Sequence, residues 1–191
     1  MKILGISGSL RRDSYNSALL RAAAELVADG VELEIWAGLK EVPPYDEDDD
    51  VGEAGEAPAA VAELREAIAG ADAVIFSTPE YNSSVPGQLK NALDWVSRPI
   101  RTNVLRNKPV AVVGASTGMF GDVWAQAELR KVAAAIGART LDHDLPVTLA
   151  PTRFDDAGRL VDEDIRERLT ETLDELVAAV EEREVVAREA A

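Results

Sequence analysis

Apolar and polar positions alternate along the chain in two periods, and the two periods take turns. Lys2–Ser7 is a short apolar run that reads as a first strand. Leu19, Ala22, Ala23, Leu26 and Val27 then recur at helical spacing, which predicts a helix over Ser17–Asp29 stopped by Gly30. Val31–Trp36 alternates with period two, the pattern of a half-exposed edge strand. A loop is expected from Ala37 to about Ala57, carrying Pro43-Pro44 and the acidic run Glu47–Asp50. Pro58 stands at the favoured first position of a second helix, with Val61, Leu64 and Ile68 on one face. Ala73–Ser77 and Pro109–Gly114 are continuous apolar runs, as expected of buried parallel strands. Between and after them, Gln88–Val96 and Val123–Ile136 carry helical periodicity. Arg139–Leu149 holds a last strand, with an interruption expected around Pro146, and Asp162–Glu182 a long helix. Val185–Ala191 is expected to fray.

This order of strand and helix points to an α/β fold: a three-layer sandwich with a five-stranded parallel sheet and helices on both faces. In a chain of 191 residues the flavodoxin-like order 2-1-3-4-5 fits best, because the alternating second strand then lies at an edge. No repeat or linker divides the sequence, so residues 1–191 are expected to form one domain.

Composition narrows the chemistry. The chain has no cysteine and one histidine, which removes disulfides, thiolate metal centres and a cysteine nucleophile, and no metal site is expected. Twenty basic residues stand against 35 acidic ones, for a net charge of −15. Neither a nucleic acid nor an anionic membrane is an expected partner of such a surface. No apolar run approaches the ~20 residues of a membrane helix, and the apolar start is broken too soon for a signal peptide, so the expected location is the cytoplasm.

In open α/β sheets ligands bind beyond the carboxyl ends of the strands, at the switch in strand order. The three loops expected there are unusual. Gly5–Ser17 joins glycines to Ser9, Ser14, Asn16 and Ser17, with charge from Arg11 or Arg12, around the start of a helix, the ingredients of a cradle for a phosphate monoester. It lacks the lysine of a P-loop and the glycine spacing of a dinucleotide site. A polar turn with a serine cap is the competing reading. Ser77–Gly87 sets Glu80, Tyr81 and Asn82 between Pro79 and Pro86, a stiff loop suited to holding backbone donors against a flat heterocycle. Gly114–Gly121 contains three glycines with Ser116 and Thr117, either a further ligand wall or a flexible turn. His143 between two aspartates reads as a solvated residue after the last strand, and Trp95 and Trp124 as packing or subunit-contact residues.

Gly8-Ser9-Leu10-Arg11-Arg12-Asp13-Ser14-Tyr15-Asn16 matches the pattern Gly-Ser-x-Arg-x-x-Ser-x-Asn. Pro79–Trp95 matches Pro-Glu-Tyr-Asn-x-Ser-x-Pro-Gly-x-Leu-Lys-Asn-x-x-Asp-Trp. With these two motifs the chain resembles the NAD(P)H-dependent FMN reductases, flavodoxin-like flavoproteins that include bacterial quinone and chromate reductases. The resemblance implies that Ser9–Asn16 holds the FMN phosphate, with Ser9, Arg11 and Asn16 foremost. It implies that Pro79, Glu80, Tyr81 and Asn82 line the isoalloxazine ring and that Ser116 and Gly118 close one side. It further implies ping-pong transfer of hydride from NADPH or NADH through flavin N5 to a quinone, a free flavin or a related small acceptor. No side chain would be catalytic in its own right. A homodimer or homotetramer is implied as well. A flavodoxin-type electron carrier is the alternative, although its Thr-x-Thr-Gly-Asn-Thr phosphate loop is missing.

Overall fold

The computed structural model describes residues 1–50 and 57–189. Strands β1 (Lys2–Ser7), β2 (Glu32–Trp36), β3 (Ala73–Ser77), β4 (Pro109–Ala115) and β5 (Arg139–Thr140) form a parallel sheet in the order β2-β1-β3-β4-β5. A sixth short strand, β6 (Leu145–Val147), pairs with the carboxyl half of β4. The helices are α1 (Tyr15–Leu26), α2 (Ala59–Ala69), α3 (Gly87–Val96), α4 (Val123–Ile136) and α5 (Glu163–Glu189). Helices α1 and α5 bury their apolar stripes on one face of the sheet, with Leu19, Leu169 and Leu176 fully enclosed. Helices α2, α3 and α4 cover the other, around Leu64, Leu93 and Leu129. Every residue of β3 and β4 is buried between these layers, whereas β2 at the edge is half exposed.

Several boundaries differ from the sequence reading for physical reasons. Helix α1 begins at Tyr15 rather than Ser17, because Ser14 supplies the cap: its Oγ accepts the Asn16 N–H at 3.1 Å. It ends at Leu26, well before Gly30. The chain must reverse through Ala28–Val31 to enter β2, and Gly30 takes the left-handed φ of +84° there. Pro58 is the cap of α2 rather than its first residue. Helix α5 runs past Glu182 to Glu189, so Val185–Arg188 is helical rather than frayed. Arg183 ties this stretch to the Asp72 carbonyl at 3.1 Å, and Arg188 pairs with Glu184 one turn back. The last strand is split, and the break falls at Leu141–Asp144 rather than at Pro146, which sits inside β6 opposite Gly114. Arg130 of α4 holds the excursion by pairing with Asp144 and donating to the His143 carbonyl.

The expected loop from Ala37 contains a 3-10 turn over Gly38–Glu41, and Leu39 and Val42 are buried beneath it. Residues 51–56 of that loop lie outside the described residues. Three α3 side chains pin its first half. Gln88 donates to the carbonyls of Leu39 and Val42, and Asn91 donates to Pro43 while accepting the Tyr45 N–H. Trp95, fully buried, donates its indole N–H to Pro43 at 2.9 Å.

Candidate functional site

The carboxyl ends of β1, β3 and β4 meet at one buried side chain. Asn16, in the first turn of α1 and 2% exposed, accepts from the Ser77 hydroxyl (2.8 Å) and the Ala115 N–H (3.0 Å) through Oδ1, and donates from Nδ2 to the Ala115 carbonyl (2.9 Å). Backbone bonds reinforce this junction: Gly8 N–H to the Ser77 carbonyl, and Thr78 N–H to the Val113 carbonyl. The first loop is also folded on itself. Ser7 Oγ accepts the Ser9 N–H and lies 3.0 Å from Ser17 Oγ. The exposed Arg11 donates to the Asp13 carbonyl at 2.7 Å and lies over the Tyr15 ring.

The second loop is a two-residue hairpin. Tyr81 and Ser84 exchange both backbone hydrogen bonds, and Asn82 (φ 54°) and Ser83 (φ 61°) take the left-handed conformations that such a tight turn requires. Two carboxylates fasten the loop to α4. Glu80 Oε2 accepts the N–H groups of Trp124 and Ala125, both at 3.1 Å, so it caps the helix from outside. Glu128 answers in the other direction, accepting from the Ser84 hydroxyl (2.6 Å) and the Val85 N–H (3.2 Å), and these bonds hold its carboxyl below the ordinary glutamate value. The third loop leans on β6 and the turn after it: Ser116 and Gly118 offer their carbonyls to the N–H groups of Ala150 and Leu149.

These loops enclose a cleft above the sheet. Of the residues expected there, Ser9, Arg11, Ser14, Asn16, Pro79, Glu80, Tyr81 and Ser116 line it, together with Tyr15, Ala115, Thr117 and Asp122. Ser17, Asn82 and Gly118 do not line it: Ser17 faces Ser7, Asn82 stands at the exposed tip of its turn, and Gly118 lies outside. Asp122 was not foreseen. It is 3% exposed and stands in the N-cap position of α4 with a φ of +63°, yet its side chain makes no cap bond. Burial pushes its carboxyl up to about 7 and the neighbouring Glu80 charge adds to the rise, against hydrogen bonds from the Ser116 side chain and the Glu80 backbone. In the sequence an aspartate before a helix signals an ordinary cap, so nothing local marked it.

His143 is not after the last strand but between β5 and β6, away from this cleft. Its Nδ1 lies 2.9 Å from Glu175 Oε2 and its Nε2 3.0 Å from Thr172 Oγ1, both on α5. Trp124, half exposed, packs its ring against Phe120 at the rim, where Met119 and Tyr81 are also exposed. Among the described residues no helix is long and apolar enough to cross a membrane.

Residues 1–151 match the profile of a protein family described as NADPH-dependent FMN reductase. An NAD(P)H-dependent FMN reductase of Pseudomonas aeruginosa is 44% identical, the match covering 92% of this chain and 93% of the relative. A 2-hydroxy-1,4-benzoquinone reductase of a Burkholderia species is 37% identical over 97% of this chain and 99% of its own. Among solved structures, FerB, a flavoenzyme NAD(P)H:(acceptor) oxidoreductase from Paracoccus denitrificans, superposes with a TM-score of 0.84 at 31% identity, covering 95% of this chain and 98% of that one.

Proposed function

The chain belongs to the NADPH-dependent FMN reductase family, and we propose that the cleft at the carboxyl ends of β1, β3 and β4 holds FMN and serves NAD(P)H and a quinone in turn. It is a flavin-dependent NAD(P)H oxidoreductase with quinone acceptors. The observation that carries the site assignment is the meeting of two different donor sets in one cleft. At one end stand Ser9, Arg11 and Ser14 with the first turn of α1, whose N–H groups have no partner within the helix beyond the one Ser14 takes. That end has the chemistry for a phosphate monoester. At the other end Pro79, Tyr81 and Ala115 offer backbone and apolar surface for a flat ring, with Ser116 as a polar edge.

The donor set therefore fits FMN, which when bound supplies the two-electron redox chemistry. The protein binds and orients it. Arg11 and the α1 N-terminus hold the phosphate, Asn16 fixes the three loops at their junction, and the strapped hairpin of Tyr81–Ser84 sets the ring wall. Free flavins and related small molecules are further acceptors in this reading. The chain, residues 1–191, works as one flavodoxin-like domain of a cytoplasmic homodimer or homotetramer. Self-association is supported by the exposed Met119, Phe120 and Trp124 beside the cleft.

Two measurements test the reading together. Flavin released by denaturing the purified protein is expected to run as FMN in chromatography, because the first loop offers a single phosphate cradle. Initial rates with NADPH or NADH varied against a benzoquinone are expected to give parallel double-reciprocal lines, as donor and acceptor share one cleft. FAD as the main flavin would overturn the cradle assignment, and intersecting lines would overturn the shared cleft.

A further inference from the structure

Asp122 has no task in the assembly described above. It occupies the N-cap position of α4 but leaves the capping to Glu80, which takes the Trp124 and Ala125 N–H groups. Its own carboxyl is packed inward, against the floor of the cleft. A Cβ built on Gly114 in β4 would lie 3.1 Å from Asp122 Cβ, and one built on Gly121, beside it, would lie 2.6 Å from Pro146 Cβ of β6. Oδ2 is buried with no hydrogen-bond partner. Holding a non-glycine residue at left-handed φ adds strain to this placement. The charged and polar groups around it offer no compensating cation. The loop after β3 contributes the Glu80 carboxylate and the Glu80 backbone, and the loop after β4 the Ser116 hydroxyl. On its own helix Gln126 spends its amide on Gly121 and Leu145. Among the described residues lining the cleft, Arg11 of the first loop is the one cation, and it is turned to the Asp13 carbonyl.

We propose that Asp122 is a proton-dependent control on FMN binding from the ring end of the cleft: protonated, it leaves the cleft wall neutral and the anionic cofactor enters; ionised, it sets a second negative charge beside Glu80 and weakens binding. This rests on the FMN reading of the cleft. A buried carboxyl beside a carboxylate, without a cation, keeps its proton to higher pH than an exposed one, and the value of about 7 places the change within the working range of a cell. The sign follows by linkage. Cofactor affinity is full while the carboxyl carries its proton and falls as pH rises through the region where the proton leaves.

The test is FMN titration of the apoprotein, followed by quenching of flavin fluorescence at constant ionic strength, for wild type, Asp122→Asn and Glu80→Gln. Wild-type Kd is expected to rise roughly tenfold between about pH 6 and about pH 8.5. Asp122→Asn, neutral at all pH and well suited to a left-handed φ, is expected to lose that rise. The second ionisation of the FMN phosphate, near pH 6, is common to both proteins and cancels in their ratio. In Glu80→Gln the midpoint is expected to move to lower pH, and this variant decides the matter should Asp122→Asn fail to fold. An equal pH dependence in wild type and Asp122→Asn, with FMN bound by both, would overturn the inference and leave the flavin reading intact. So would an unmoved midpoint in Glu80→Gln. Failure of all three proteins to bind FMN at any pH would overturn both.

Discussion

Replacing Asn16 with alanine is expected to lower the unfolding free energy by about 3 kcal/mol, the largest stability loss for any single polar side chain around the cleft. The amide of Asn16 is the partner of three buried groups: the Ser77 hydroxyl, the Ala115 N–H and the Ala115 carbonyl. Alanine would leave all three unpaired. An orphaned buried donor or acceptor costs roughly 1–3 kcal/mol, and water entering from the cleft would recover part of the loss, which is why the lower part of the summed range is expected. The damage reaches function because Ser77 and Ala115 end β3 and β4, so releasing them lets the second and third loops drift from the first. Urea unfolding followed by circular dichroism measures the effect, and FMN affinity should fall in the same variant. A shift below about 1 kcal/mol would mean that Gly8–Ser77 and Thr78–Val113 backbone pairing holds the junction by itself.

That junction shows where the sequence was legible and where it was not. Local pattern sufficed for elements whose ends are marked by the chain itself. Strand β3 is a pure apolar run and matched to the residue. Helix α4 matched at both ends, with Gly137 closing it at a φ of +103°. The strand order followed from one local fact, the alternation of β2. Failures came where distant residues decide. The fifth strand divides because Arg130, 14 positions before Asp144, holds the intervening turn, and no periodicity encodes that. Asn16 was expected as a phosphate contact, and nothing in the sequence joined it to its partner Ala115, 99 positions away. Asp122 drew no notice in the sequence, because Glu80, which takes the capping of α4 in its place, belongs to another loop. Of the long motif from Pro79 to Trp95, only Pro79–Asn82 was given a role at the ring, and the rest was read as a helix with no stated task beyond packing. Its second half instead pins the Gly38–Tyr45 segment through Gln88, Asn91 and Trp95.

Replacing Arg11 with alanine is expected to have the opposite profile from Asn16: a large loss of FMN affinity and no loss of stability. Arg11 is exposed, and among the described residues the one hydrogen bond of its guanidinium runs to the Asp13 carbonyl two residues away, so its removal should leave the unfolding free energy within about 0.5 kcal/mol of wild type. Its position in the cleft lining makes it the cation available to a phosphate end, beside the N–H groups of the α1 first turn. A charge-assisted contact of that kind is worth roughly 10- to 150-fold in Kd. The setting raises the stake, since a chain of net charge −15 repels a phosphate ester everywhere except where a local cation reverses the field. That repulsion and the Arg11 attraction are both screened by salt, so the gap between wild type and variant should narrow as ionic strength increases. The measurement is an FMN titration at low and at high salt, with denaturant unfolding of both proteins as the control. An unchanged Kd for Arg11→Ala, with the loss appearing instead in Arg12→Ala, would move the phosphate to the other side of the loop. An affinity loss that persists undiminished in high salt would show that Arg11 acts by shaping the loop over Tyr15 rather than by its charge.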